Sequence, residues 1–282
     1  MLSSISVSTG GFSSLTSLEA AKILFDNDIF SLELSGGKYS STFLEDLEKI
    51  NSISNNFTLH NYCPVPEVPF VINLASSDEN ILEKSRSHVA HSLYLSGLYN
   101  LNHFAVHIGF LIDPKPKELG KTLKKENLYS KKKSLNNFYE SINQLSYIAE
   151  KNNVKFLIEN NVITKKNISQ FGLNPLLGTS FIEIDEIMKN IPESVGLLLD
   201  VAHLNVSCNT QELDREKEIK LLKKYTQGYH LSDNDGLTDS NSPISQESWF
   251  LPFIDRDIDY KVLEVYKYDP ISLKKQIGYL IN

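Results

Sequence analysis

Lys155–Asn161 reads KFLIENN and Val195–His203 reads VGLLLDVAH: two short apolar runs, each closing on a carboxylate, Glu159 and Asp200. Runs this brief read as buried strands rather than helices. Between them, Ser180 and Glu183 stand in the S/T-x-x-E spacing that opens a helix, ahead of an apolar-periodic stretch. A strand, a crossover helix and a second strand form a right-handed βαβ unit with parallel strands.

The same alternation extends in both directions. Strands are predicted at Ser4–Val7, Phe30–Leu34, Phe57–Tyr62, His103–Ile108, Val154–Ile158, Val195–Leu199, Gly228–Leu231 and Lys261–Val265. Cap-like pairs mark helix starts at Thr16 with Glu19, Thr42 with Glu45, and Ser76 with Glu79, and long helices are expected over Asp78–Tyr99 and Ser134–Lys151. Eight such units close most naturally into a (β/α)8 TIM barrel, an α/β fold spanning residues 1–282 as a single domain, with an open doubly wound sheet as the alternative.

Composition agrees. With 282 residues, 41% of them hydrophobic and 22% charged, the chain can bury one large core. A formal net charge of -7 argues against a broad electrostatic grip on nucleic acid. Cys63 and Cys208 form no CxxC pair and suit a reducing compartment. The opening MLSSISVSTGGF has no signal-peptide pattern and no stretch approaches a membrane span, so a cytoplasmic protein without a membrane partner is expected, a homo-oligomer being left open.

Two loops exceed what a bare scaffold needs. Gly109–Tyr129, extended by Lys131–Lys133, is lysine-rich; its Lys115, Lys117, Lys121, Lys124 and Lys125 would either guide a phosphate or form a solvated surface. Asp233–Asp255 carries Trp249 and Phe250, which would either cover a sugar ring or pack on the barrel rim.

Barrel active sites gather side chains from the C-terminal ends of several strands. Those positions hold His60, His107, Glu159, Asp200 with His203, His230 and Glu264. Asp, Glu and His together fill roughly one position in seven, so six consecutive strand ends bearing one is far from chance. Any single one is weak, because a lone strand-end His is more often a hydrogen-bonded structural residue than a ligand. Convergence is the signal: several carboxylates fixed at one mouth repel and lose solvation unless a cation neutralises them. Glu159, Asp200, His230 and Glu264 form a mixed oxygen and nitrogen set, suited to a divalent Mn²⁺, Mg²⁺, Co²⁺ or Zn²⁺ ion. His60, His107 and His203 would allow more than one.

LIENN, LLLDVAH and YHLSDNDG, followed by Glu264, resemble the E-N, D-x-x-H and H-x-x-D elements of the xylose isomerase-like barrel superfamily, and the likeness runs from ISVSTGG to LEVYKYDP. That superfamily joins sugar isomerases and epimerases with the endonuclease IV type of apurinic endonuclease. The epimerase branch implies one ion held by Glu159, Asp200, His230 and Glu264, with Glu159 taking a proton next to a metal-polarised carbonyl, Glu264 returning it through an enediolate, and His203 binding substrate oxygen. An arginine frequent after its H-x-x-D element is replaced by Gly236. The endonuclease branch implies three zinc ions, with His60, His107, His203 and a D-x-H pair that reads Asp239, Ser240, Asn241 here; the amide of Asn241 is a poor zinc ligand. The leading expectation is a metal-dependent isomerase or epimerase of a small carbohydrate, a sugar or sugar phosphate. The alternatives are a zinc phosphodiesterase and a non-catalytic binding barrel; retention of both glutamates counts against the latter.

Overall fold

A computed structural model of the chain describes residues 5–118, 123–266 and 269–281. Eight strands, β1 (Ser6–Ser8), β2 (Leu32–Ser35), β3 (Phe57–His60), β4 (His103–His107), β5 (Lys155–Glu159), β6 (Gly196–Asp200), β7 (Thr226–Leu231) and β8 (Tyr260–Leu263), follow one another in chain order around a closed barrel. Every neighbouring pair is parallel, β1 with β8 included. Each expected run carries a strand. The expected start of the first, Ser4, lies outside the described residues, as does Lys121.

The helices are α1 (Ser17–Phe25), α2 (Phe43–Ile53), α3 (Glu79–Leu98), α4 (Lys131–Lys151), α5 (Lys165–Phe171), α6 (Phe181–Met188), α7 (Val201–Gln211), α8 (Arg215–Leu222) and α9 (Pro270–Ile281). Among the described residues, none is long and apolar enough to cross a membrane. Cys63 and Cys208 are free and buried, and burial pushes each thiol up to about 12, which leaves both unreactive.

Strand side chains alternate between two apolar environments. Leu32, Leu34, Phe104, Val106, Phe156, Ile158, Leu197 and Leu199 face outward into the large core shared with the helices. The opposite parity supplies a separate plug inside the ring: Ala105, Leu157, Leu198, Tyr260 and Val262. A Cβ at Gly228 would lie 2.6 Å from Tyr260 Cδ1, so glycine there admits the ring that completes the plug. Two residues further along each strand, the same inward parity brings up His107, Glu159, Asp200, His230 and Glu264. Sidedness alone therefore stacks polar groups on an apolar floor.

The helix starts were read unevenly. Thr16 and Glu19 form the full reciprocal capping box, and Ser180 caps α6 through Glu183 N. Thr42 precedes α2 but makes no side-chain cap bond. Ser76 does not open α3; Asp78 does, accepting from Asn80 N and Ile81 N, while the Ser76 hydroxyl is engaged with Asp113 and Asp78 N. Lys131–Lys133 belong to no loop: they are the first turn of α4, with Ser130 as N-cap. Cations sit poorly at a helix N-terminus, and Lys131 is matched by Glu183 at 2.7 Å.

Candidate active site

The mouth of the barrel gathers the expected residues. His230 Nδ1 lies 3.0 Å from Glu264 Oε2, 3.2 Å from Glu159 Oε1 and 4.0 Å from Asp200 Oδ2. One ligand atom from each of Glu159, Asp200, His230 and Glu264 lies within 4.8 Å of the others, so the two glutamates reach a common point. His60, His107 and Glu159 form a second such group that shares Glu159; His60 Nε2 is 3.2 Å and His107 Nδ1 is 3.5 Å from Glu159 Oε2.

Asp200, Glu264 and His230 are each aimed by a neighbour. Asp200 Oδ1 accepts from His203 N at 2.7 Å and caps α7, which leaves Oδ2 for the centre. Asn160 clamps Asp200 by its backbone, donating to the carbonyl at 3.0 Å and accepting from the amide at 2.8 Å. Tyr266 donates to Glu264 Oε1 at 2.6 Å, freeing Oε2. A Cβ on Gly10 would stand 2.7 Å from that Tyr266 hydroxyl, so the glycine at the end of β1 makes the bond sterically feasible.

Sequence reasoning missed Glu33. Its Oε2 takes hydrogen bonds from His230 Nε2 at 3.0 Å and from the Tyr260 hydroxyl at 2.7 Å, and the residue is fully buried. With Nε2 anchored on Glu33, Nδ1 points at the carboxylates and is the nitrogen left to a cation once its proton is displaced, the arrangement by which outer carboxylates orient histidine ligands. The signal was available: Glu33 is the one charge inside the apolar run FSLEL at Phe30–Leu34. Reading strand ends alone passed over it.

The electrostatics show an excess of acid. Burial pushes Asp200 up to about 7 against the pull of His203. Burial also raises Glu159 and Glu264, but His107 and His230 hold Glu159 well below the usual range, and His230 holds Glu264 at about 2. His230 is itself raised well above its ordinary value: burial opposes its charge, and Glu33, Glu159 and Glu264 outweigh burial. His107, buried without enough compensation, falls to about 4 and is neutral. Among the described residues, both Glu159 oxygens, Asp200 Oδ2 and His230 Nδ1 are buried without a hydrogen-bond partner. Orphaned acceptors converging on one point are what a divalent cation satisfies, so the donor set fits the ion expected from sequence.

Above the cluster lies a cavity of about 1060 Å³, reached by His107, Glu159, His203, Asp239, Glu264 and Tyr266. Asp239 Oδ2 sits 3.3 Å from His203 Nε2, while His203 Nδ1 pairs with the Asn160 carbonyl at 2.9 Å. Asn241 lines the cavity, but its amide donates to the Glu264 carbonyl at 3.2 Å. Trp249 and Phe250 do not cover the site: Phe250 is fully buried in the outer core, and Trp249 packs on it beneath the Arg215 guanidinium. Of the lysine-rich loop, Phe110, Pro116 and Leu123 line the cavity rather than any described lysine; Lys165 and Lys166, not singled out from sequence, do line it.

A family model described as xylose isomerase-like TIM barrel matches residues 32–262. Among solved structures, a D-tagatose 3-epimerase-like protein aligns with a TM-score of 0.72 at 17% identity, covering 98% of this chain and 97% of that one. D-psicose 3-epimerase from Clostridium cellulolyticum aligns with a TM-score of 0.64 at 13% identity, covering 98% and 96%. A Thermus thermophilus protein soaked with ZnCl2 aligns with a TM-score of 0.63 at 16% identity, covering 99% and 98%. At these identities the likeness is one of fold. No curated protein matches by sequence.

Proposed function

The chain belongs to the xylose isomerase-like TIM barrel family, and on that footing we propose that it is a divalent-metal-dependent isomerase or epimerase of a sugar or sugar phosphate. The observation that carries this reading is the convergence of Glu159, Asp200, His230 and Glu264 within 4.8 Å, with orphaned acceptors at the base of a large cavity. Those four residues would hold the ion. When bound, a divalent cation polarises a carbonyl oxygen and thereby acidifies the adjacent C–H.

The chain's own groups then move the proton. Glu159 reaches the cavity with its oxygens facing only the imidazoles of His60, His107, His203 and His230 among the described residues and acts as the base. Glu264, fixed by Tyr266, takes up a proton from solvent and delivers it, to the opposite face for epimerisation or to the neighbouring carbon for isomerisation, while Glu159 sheds to solvent the one it removed. His203, held positively charged by Asp200 and Asp239 against burial, donates from Nε2 to a substrate oxygen. The test is solvent-deuterium incorporation, followed by NMR, across a panel of ketopentoses, ketohexoses and their phosphates with Mn²⁺ present. Exchange next to the carbonyl, lost in Glu159→Gln and Glu264→Gln, is the expected result; no exchange with any member overturns the reading.

A second reading has its own support. The His60, His107 and Glu159 group offers a place for another cation, as a phosphodiester hydrolase of the endonuclease IV type would need. Metal analysis of the purified chain separates the two. About one ion per chain supports the isomerase; two or three, with cleavage of abasic DNA, moves the assignment to the hydrolase.

A further inference from the structure

The cavity over the carboxylates has an apolar side out of keeping with a free sugar. Val65, Phe70, Val71 and Ile72 after β3, Phe110 after β4 and Leu176 before α6 line it. At about 1060 Å³ the cavity stands at the upper end of the range, roughly 300–1000 Å³, that holds drug-sized ligands, well beyond one monosaccharide.

This wall is built into the fold. Behind it, Val71, Phe110, Ile112, Leu123, Ile163 and Leu176 form a cluster separate from the barrel core. The fully buried Asn73 ties the two loops together: its Nδ2 donates to the carbonyls of Phe110 at 3.2 Å and Ile112 at 2.9 Å, and its Oδ1 accepts from Phe110 N at 2.9 Å. Asp113 then accepts from Asn73 Nδ2 at 2.8 Å, the Ser76 hydroxyl at 2.7 Å and the Tyr129 hydroxyl at 2.6 Å. Sugar hydroxyls placed against such a surface would lose water without gaining partners. An apolar group there would be favourably buried, and the wall is continuous with the ligand cluster through His107 and Glu159.

We propose, resting on the isomerase or epimerase reading above, that the substrate is a keto sugar bearing an apolar or aromatic substituent. The sugar meets Glu159 and Glu264, and the substituent lies along Val65, Phe70, Val71 and Phe110. Calorimetry of the full chain with Mn²⁺ tests this with paired methyl and phenyl keto-glycosides, the 3-oxo derivatives of the glucose, galactose and mannose glycosides. The phenyl member of at least one pair should bind about ten-fold or more tightly than its methyl partner. Val65→Asp, at a half-buried position outside the core clusters, and Phe110→Ala should each bring that ratio toward one while leaving methyl glycoside binding unchanged. Equal affinities within every pair overturn the inference and leave the isomerase reading standing. If no glycoside binds the metal-loaded chain, the inference is likewise overturned, and the ketose exchange experiment decides the isomerase reading by itself.

Discussion

Two arcs of the barrel mouth carry side chains able to hold a cation, and they are braced differently. Along β6–β8, each ligand spends one polar atom on the protein and presents the other: Asp200 caps α7, His230 leans on Glu33, and Glu264 holds Tyr266. Along β3 and β4, the Nδ1 atoms of His60 and His107 are buried without a hydrogen-bond partner among the described residues. Glu159 stands between the arcs, with His60 and His107 facing one oxygen and His230 the other. The contrast teaches that nearness of donors does not make two cation positions equal: one arc is oriented before an ion arrives, and the other has no such support.

The largest effect should come from the residue the arcs share. Glu159→Gln should weaken ion retention by more than about 100-fold, since even outer partners are worth roughly 10–100-fold; metal analysis after dialysis would measure it, and retention near wild type breaks the picture. Next, Glu33→Gln leaves every ligand in place but loosens His230, so affinity in a metal-buffered titration should fall by about 10–100-fold. An unchanged affinity would mean that bracing is irrelevant.

Acidity gives a third, smaller lever. Burial raises Asp200 to about 7, so below that pH an ion must displace its proton, and affinity should fall by about ten-fold per pH unit on acidification. For the metal-free chain the sign is opposite: a carboxyl raised on folding stabilises at low pH and loses that contribution as pH rises through about 7. Asp200→Asn should flatten both trends. The smallest change is expected at the unbraced arc, where His107→Asn should alter affinity for the first ion by less than about three-fold. A drop from two bound ions to one would instead make the arcs equivalents.

Much of this was legible in the sequence because a barrel strand repeats every two residues. Once LLLD and FLIE are read as strands, the parity that buries Leu198 and Leu157 in the plug also aims Asp200 and Glu159 upward. What escaped was information carried across the ring. Glu33 belongs to the second strand and serves a histidine on the seventh, a relation no local pattern encodes. Ser76 and Asp78 each offered an acceptor, and only the path of the chain decides which one faces the free amides. Trp249 and Phe250 fit either a lid or a rim until Phe250 is found in the core. The apolar wall, gathered from three loops and a buried asparagine, has no linear signature.

The reach of Glu33 has a consequence for biosynthesis. It touches residues 197 and 227 positions later in the chain, and the glycine after β1 abuts Tyr266 from the far end. A polypeptide emerging from the ribosome therefore owns the first half of its mouth cluster long before the second exists. On the proposed function, capture of an ion would be one of the last events in maturation, a seal on a finished ring rather than a seed for it.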